Sequence, residues 1–489
     1  MTDTRPSEAA SIEEAEAFLA KHPDISAFDL VLIDPNGIAR GKIIRRHELL
    51  GLYKSGRHLP GSILGLDVTG EDVDETGLVW DDGDADRIAW PIAGSLVELP
   101  WTSPKRGEVR VSLYELDGTR MGADPRHALS RQIEAFNQIG MNPVMAFELE
   151  FYLLDATRDA NGRPQAARMP ITGDLNQTNQ VYSLDPLDNM QTFIAQLYAH
   201  AETQGLPVET MISEYAPGQY ELTLRHRDSG LRAADDLVML KRLVRGLAIR
   251  HGMRANFMAK PFGGRSGSGM HLHTSLTDEA GKNLMADTGG DLAPLLLNAV
   301  AGLQKTLAES MLLYAPNINS WRRFGRNSYA PTAATWGRNN RSVAIRVPAG
   351  NPANRHIEHR TPGVDANPYL VAAGVLAGMY EGIRDKVQPE AEATSYDADP
   401  RSHAPQAPLS SGKPGERRWH MCSCRCGNRN TTGSSPRSRQ KNSTISAIRS
   451  DAQTPVSHRR LLSAMGDGPG QVKQHDPTQD SIGHRRRRA

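Results

Sequence analysis

Four short segments of this chain set carboxylates and imidazoles at alternate positions. Residues two apart in a strand share a face. In Met145–Leu153, Glu148 and Glu150 therefore lie opposite Met145, Phe147, Leu149, Phe151 and Leu153. In Gln219–Arg225, the residues Gln219, Glu221, Thr223 and Arg225 oppose Tyr220, Leu222 and Leu224. In Met270–Leu276, His271, His273 and Ser275 alternate with Met270, Leu272 and Leu276, and in His356–Arg360 the residues His356, Glu358 and Arg360 flank Ile357. One such strand is indistinguishable from an ordinary wet sheet face. Four of them, carrying Glu and His rather than a mix of Lys, Thr and Ser, read as metal ligands, and the Gly-rich stretch Gly263–Gly269 frames one of them.

Oxygen-rich sets with some imidazole suit hard divalent cations, Mg²⁺ or Mn²⁺. Glu148, Glu150, Glu214, Glu221 and Glu358 gathered in one pocket would repel each other without such ions, and phosphate chemistry is the usual reason to hold them. Arg322, Arg323, Arg326, Arg338, Arg341, Arg346 and Arg360 follow along the chain. Guanidinium binds carboxylate and phosphate through a two-pronged fork. Metals with converging arginines point to ATP-driven activation of a carboxylate.

These segments need a scaffold, and 489 residues exceed what one core supports, so at least two domains are expected. Phe28–Ile33 and Ile38–Ile44 read as strands joined by the turn Asp34-Pro35-Asn36-Gly37. A helix is expected over Ser11–Lys21, with Ser11 and Glu14 at capping-box spacing. Others are expected at His127–Ile139, Asn189–Gln204, Ala233–Gly252 and Leu292–Leu313, and from the cap Asn367 and Pro368 through Ile383. The class is α+β: an N-terminal extension over 1–24, a small β-rich domain over 25–120 and a larger domain over 121–400. Three cysteines rule out a disulfide scaffold, and the longest apolar run, Tyr369–Tyr380, is too short to span a bilayer. Met1–Ser11 lacks a secretory pattern. A cytoplasmic enzyme with no membrane or nucleic-acid partner is expected.

The net charge of +1 hides a division: residues 403–489 hold 16 Lys and Arg against 5 Asp and Glu, together with all three cysteines. This tail shows no lasting period and has a disordered composition. A nucleic-acid arm, a Cys-x-Cys-x-Cys metal site and an out-of-frame end compete as readings of 401–489.

Five motifs, in order, resemble those of the glutamine synthetase family. They are Phe147–Phe151, Glu214–Glu221, Lys260-Pro261 with Gly267–His273, Asn339–Arg346, and Glu358–Arg360 with Asp365–Tyr369. The resemblance implies a small N-terminal β-grasp domain, a catalytic domain on a curved antiparallel sheet, and active sites between neighbours in a homo-oligomeric ring, commonly a dodecamer. It also implies roles. Glu150, Glu214 and Glu221 would hold a first metal, and Glu148, His271 and Glu358 a second. His273 and Ser275 would lie along ATP. Arg341 and Arg346 would hold the transferred phosphoryl group, and Arg323 and Arg360 the carboxylates of glutamate.

Departures from the family pattern narrow the substrate. Members that make glutamine carry an Asp-Gly-Ser-Ser loop whose acid helps bind ammonium. Here the comparable stretch is Leu59-Pro60-Gly61-Ser62, and Tyr329 stands where those members have a flap Glu. Asp82–Ile88, Asn319–Gly325 and Trp336–Pro348 resemble a branch that joins glutamate to putrescine and other polyamines. A glutamate–amine ligase is the expectation; glutamine synthetase itself and a non-catalytic relative are the alternatives. Ser266, where many members have Asn, departs from the usual glutamate contact. The resemblance fades after about Pro400, where the charge also changes, so a frameshift near 405–412 is the expected origin of the tail.

Overall fold

Asp34 closes the first hairpin with one carboxylate oxygen, which accepts from the backbone N–H groups of Asn36 at 2.9 Å and Ile38 at 2.8 Å. Gly37 supplies the left-handed backbone this turn needs, at φ +73°. The turn joins β1 (Ala27–Ile33) to β2 (Ala39–Arg45). The structure is a computed structural model and describes residues 5–179, 181–325 and 328–396. The basic tail 401–489 and Arg326 lie outside the described residues.

Helix α1 (Ile12–Lys21) precedes the hairpin, but the capping box expected at its start is not formed. Ser11 makes no cap bond, and the Glu14 carboxylate accepts instead from the Tyr53 hydroxyl at 3.1 Å and the Gly94 N–H at 2.9 Å. The Tyr53 bond ties α1 to α2 (Leu49–Ser55), and the tertiary partners win over the local one. Then β3 (Arg57–Pro60), β4 (Asp86–Pro91), β5 (Val97–Leu99) and β6 (Arg106–Tyr114) complete a six-stranded sheet of order β2-β1-β6-β4-β3, with β5 also on β6. Only β1 and β6 run parallel. Phe28, Leu30, Leu32, Leu49, Leu52 and Val109 form the core under α1 and α2.

Helix α3 (Pro125–Asn137) begins two residues before the expected position, because Asp124 caps it and Pro125 fits its first turn. Along the chain follow β7 (Asn142–Arg158), β8 (Pro164–Ala166), α4 (Asp185–Asn189), α5 (Gln191–Thr203), β9 (Val208–Ser213) and β10 (Gln219–Leu224). Next come α6 (Gly230–Arg250), β11 (Met253–Asn256), β12 (Leu272–Thr277), α7 (Pro294–Thr306), α8 (Met311–Tyr314) and α9 (Ile318–Trp321). The described chain closes with β13 (Trp336–Arg338), β14 (Ile345–Val347), β15 (Ile357–His359) and α10 (Pro368–Asp385). The helix expected over Asn189–Gln204 is α5, starting two residues later, whereas the one expected over Leu292–Leu313 is broken between Thr306 and Met311. Met311 and Leu313 pack on the same core as α7, so the apolar period runs through the break and does not mark it.

Strands β7 to β15 make a nine-stranded sheet of order β13-β14-β15-β12-β7-β10-β9, with β8 and β11 also on β7, antiparallel except for β13 beside β14. The alternation expected for β7 is present: Met145, Phe147, Leu149, Phe151 and Leu153 are each 1% exposed or less. They pack with Leu237, Leu240 and Val244 of α6. Burying such side chains contributes about 1.5–3 kcal/mol each. A slip of one residue would drive Glu148 and Glu150 into that core, so the register is fixed.

The two sheets meet at the start of α10. Asn367 Oδ1 accepts from the N–H of Tyr369 at 2.9 Å and Leu370 at 3.3 Å, while its Nδ2 donates to the Asp34 carbonyl at 2.8 Å. The Tyr369 hydroxyl donates to Asp235 of α6 at 2.7 Å, and Arg242 bridges Glu108 and Asp29. Cap and buried bond together are worth about 2 kcal/mol. Asn367→Ala should lower the urea midpoint accordingly, and Asn367→Asp, which keeps the cap oxygen but loses the donor, should recover about half of the loss. An unchanged midpoint for the Ala variant would show that this junction does not support the fold.

Candidate active site

Strand pairing carries the polar residues into adjoining rows. Leu272 of β12 lies opposite Phe147 of β7 and His359 of β15, which sets His271 beside Glu148 on one side and Arg360 on the other. One step along, His273 lies opposite Glu358, and Glu358 opposite Arg346 of β14. In the other direction Glu150 faces Glu221 of β10. The four segments singled out by alternation thus meet on one face of one sheet.

Glu358 is buried between two arginines: Arg346 Nη1 donates to Oε2 at 2.7 Å, and Arg360 Nη1 donates to Oε1. His271 Nδ1 is 2.7 Å from Glu148 Oε2, and its Nε2 is 3.7 Å from Glu150 Oε1. His273 Nε2 is 3.0 Å from Glu148 Oε1 but off the line a hydrogen bond needs, and its Nδ1 is 3.1 Å from His356 Nε2. Glu150 accepts from the Gly269 N–H at 2.8 Å. Two triads each bring three ligand atoms within 4.8 Å of one another: Glu148, Glu221 and His271, and Glu148, His273 and Glu358.

The charges divide into two groups. Burial pushes Glu358 up, but Arg360, with His273 and His271, outweighs it and holds the carboxyl down at about 2. Burial also opposes ionisation of Glu148, and its contacts with His271 and His273 hold it well below the usual range. Burial lowers His273, but Glu148 raises it on balance. Burial, with His273 beside it, keeps His356 below the ordinary imidazole value and so neutral at pH 7. Glu214 and Glu221 have no ion pair among the described residues. Burial, then Glu150 and Glu148, raises Glu214 to about 7; burial, then Glu148 and Glu150, pushes Glu221 well above its ordinary value.

The arginines converge only in part. Arg346 and Arg360 reach the cluster. Arg323 lies buried beneath it, donating to the backbone carbonyls of Thr361 at 2.7 Å and Arg360 at 3.1 Å, and burial lowers its pKa to about 10. A Cβ at Gly269 would come within 2.6 Å of Arg323 Nη2 and 3.0 Å of His271 Nε2, which explains the glycine there. Arg341 is exposed, near enough to offset part of the rise at Glu214. Arg338 departs from the expected set: it is spent on Glu392 at 2.8 Å, a partner distant in sequence that no spacing could indicate. Arg322 is exposed. Ser275 shares the strand face of His273. Three residues escaped assignment from sequence: His356 beside His273, Gln219 donating to the Gly267 carbonyl at 2.9 Å, and Asn339 accepting from Arg346 at 3.2 Å. Strand parity already places His356 and Gln219 on the polar face; nothing local marks Asn339. Leu59 is buried in β3, and Tyr329 is exposed at φ +56°.

A sheet face that gathers Glu and His ligands next to guanidinium groups is built for divalent cations and the anions they bind. The sequence profile "Glutamine synthetase, catalytic domain" matches residues 122–410. The chain is 40% identical over 393 residues to gamma-glutamylputrescine synthetase PuuA of Escherichia coli, covering 80% of this chain and 83% of that one. It is 33% identical to a glutamate–isopropylamine ligase of a Pseudomonas species, covering 76% and 81%. Among solved structures, GmaS without ligand superposes with a TM-score of 0.67 at 28% identity, covering 80% of this chain and 86% of that one. The chain belongs to the glutamine synthetase family.

That family uses ATP and divalent metals, and the residues here fit such ions. Oxygen and imidazole donors suit a hard dication, and Glu214 and Glu221 lack any protein cation paired to them among the described residues. With its carboxyl raised from 4.5 to about 7 in the fold, Glu214 costs stability once it ionises. The cost is full above pH 7 and fades as pH falls toward the unfolded value. Glu214→Gln should therefore stabilise the metal-free protein at pH 8 by about 1–3 kcal/mol, with the gain vanishing near pH 4. Melting curves of both proteins across that range check this. A gain independent of pH would contradict the burial of an unpaired carboxylate.

Proposed function

We propose that this protein is an ATP-dependent ligase that joins the γ-carboxylate of glutamate to an amine through γ-glutamyl phosphate. The observation that supports it most is the Glu148–Glu221–His271–Glu358 face with Arg346 and Arg360 beside it, in a chain of this family. Mg²⁺ or Mn²⁺, held by Glu150, Glu214 and Glu221 and by Glu148, His271 and Glu358, would neutralise charge on the phosphoryl oxygens. No described helix is long and apolar enough to cross a membrane.

In this reading a γ-carboxylate oxygen of glutamate attacks the terminal phosphorus of ATP, and ADP leaves. The amine nitrogen then attacks the acyl carbon, phosphate leaves, and the nitrogen gives up a proton. Arg341 and Arg346 would stabilise the charge spread over the phosphoryl oxygens, where catalysis of such transfers resides. Arg360 and Arg323 would orient the glutamate carboxylates, with His273 and Ser275 toward the nucleotide. A homo-oligomeric ring belongs to the same reading.

The amine follows from what is missing. Ammonium is best held by fixed carboxylates, yet Leu59-Pro60-Gly61-Ser62 carries no acid and Tyr329 is a phenol. The relatives' names refer to putrescine and isopropylamine, both larger than ammonium. Phosphate release with glutamate and ATP across ammonium, putrescine, isopropylamine and ethanolamine tests this. At least one alkylamine should exceed ammonium in kcat/KM by about 10-fold or more. Glu358→Gln should lower every rate by about 100-fold or more. Ammonium used as well as any amine would make the protein a glutamine synthetase, and an unaffected Glu358→Gln variant would remove the metal assignment.

A further inference from the structure

The glycine-rich loop before β12 carries one guanidinium, that of Arg265. Its Cζ lies 4.8 Å from the ring centre of Phe262, and that ring meets Tyr152 edge-on at 5.4 Å. Tyr152 is buried, has the parity of Glu148 and Glu150 on β7, and lies opposite Gln219 of β10. Its hydroxyl donates to the Ser266 carbonyl at 2.7 Å, and Lys260 Nζ donates to the Arg265 carbonyl. These bonds hold the loop at the end of the acid row, one step beyond Glu150. Burial raises the Tyr152 phenol; Arg265 opposes the rise, while Glu150 and Glu214 add to it, so guanidinium and carboxylates share one neighbourhood. Arg265 Nη1 is nevertheless buried with no hydrogen-bond partner among the described residues. A buried donor left unpaired is costly, and a guanidinium fork matches carboxylate or phosphate.

Two observations favour a carboxylate over a phosphate. Strand β12, with His273, pairs with β7 over Asn142–Phe147, whereas Arg265 stands by Tyr152, where β7 pairs with β10. Arg323, expected to hold glutamate, already gives Nη1 and Nη2 to backbone carbonyls, and its Cγ would lie 2.7 Å from a Cβ at Gly267. Arg323 therefore braces the loop from beneath, two residues from Arg265. We propose that Arg265 binds the α-carboxylate of glutamate, and that Phe262 is the positioning residue that holds its guanidinium flat. The inference rests on the glutamate–amine ligase reading and moves one carboxylate contact from Arg323 to Arg265. The α-carboxylate is the end of the substrate remote from phosphoryl transfer, which suits a cation set apart from Arg346.

Initial rates of the full chain with glutamate, ATP and the best alkylamine of the panel test the proposal. Arg265→Gln removes the charged fork and should raise KM for glutamate by about 10–100-fold. The changes in kcat at saturating glutamate and in KM for ATP should be far smaller, since the contact is made equally before and during phosphoryl transfer. Phe262→Leu removes the ring under the guanidinium and should raise KM for glutamate by about 2–5-fold. Adding it to Arg265→Gln should raise that KM no further, because the ring acts only through the guanidinium. An unchanged glutamate KM in Arg265→Gln, an equal rise in KM for ATP, or additive losses in the double variant would each overturn the inference while leaving the ligase reading standing. An unaltered protein that forms no γ-glutamyl amide with any amine of the panel would overturn both.

Discussion

Carboxylates forced together on one face of the sheet are the constraint on which the site depends. Strand β7 cannot bury Phe147, Leu149 and Phe151 without presenting Glu148 and Glu150 on the other side, and β10 cannot bury Tyr220 and Leu222 without presenting Glu221. The apolar face fixes the register, and the register fixes the acids. Mutual repulsion is therefore built in by packing beneath the sheet, and the hydrophobic energy of that packing offsets it.

The protein relieves this repulsion unevenly. Glu358 is satisfied by Arg346 and Arg360, and Glu148 by the two imidazoles, so this side of the face is stable as it stands. Glu214 and Glu221, across β7, have no paired cation among the described residues and are pushed toward the protonated form. A dication needs ligands that are ionised when it binds but costly to ionise when it is away. The second group has that property. The guanidinium groups on the first side remain next to where an anionic substrate would meet the cations.

Much of this was legible in the sequence because period-2 alternation assigns each side chain to a face by its position alone. The five Glu and both His positions followed from parity together with motif resemblance, and so did the helix cap at Asn367. What was not legible depends on partners far apart in the chain. Glu14 leaves its cap for Tyr53 and Gly94, and Arg338 leaves the cluster for Glu392. Arg323 turns its fork to the backbone of Thr361 and Arg360. The break after Thr306 was hidden because the same core accepts both halves of that helix. His356 had the right parity, but its value lies in a bond to another histidine 83 positions away.

Calorimetric titration of Mn²⁺ into the metal-stripped protein at pH 7, in two buffers of different ionisation enthalpy, bears most directly on this electrostatic account. Binding should displace about one proton or more per chain, from Glu214 and Glu221, so the apparent heats in the two buffers should differ in proportion to their ionisation enthalpies. Equal heats in both buffers, or no binding, would contradict an acidic face held in wait for divalent cations.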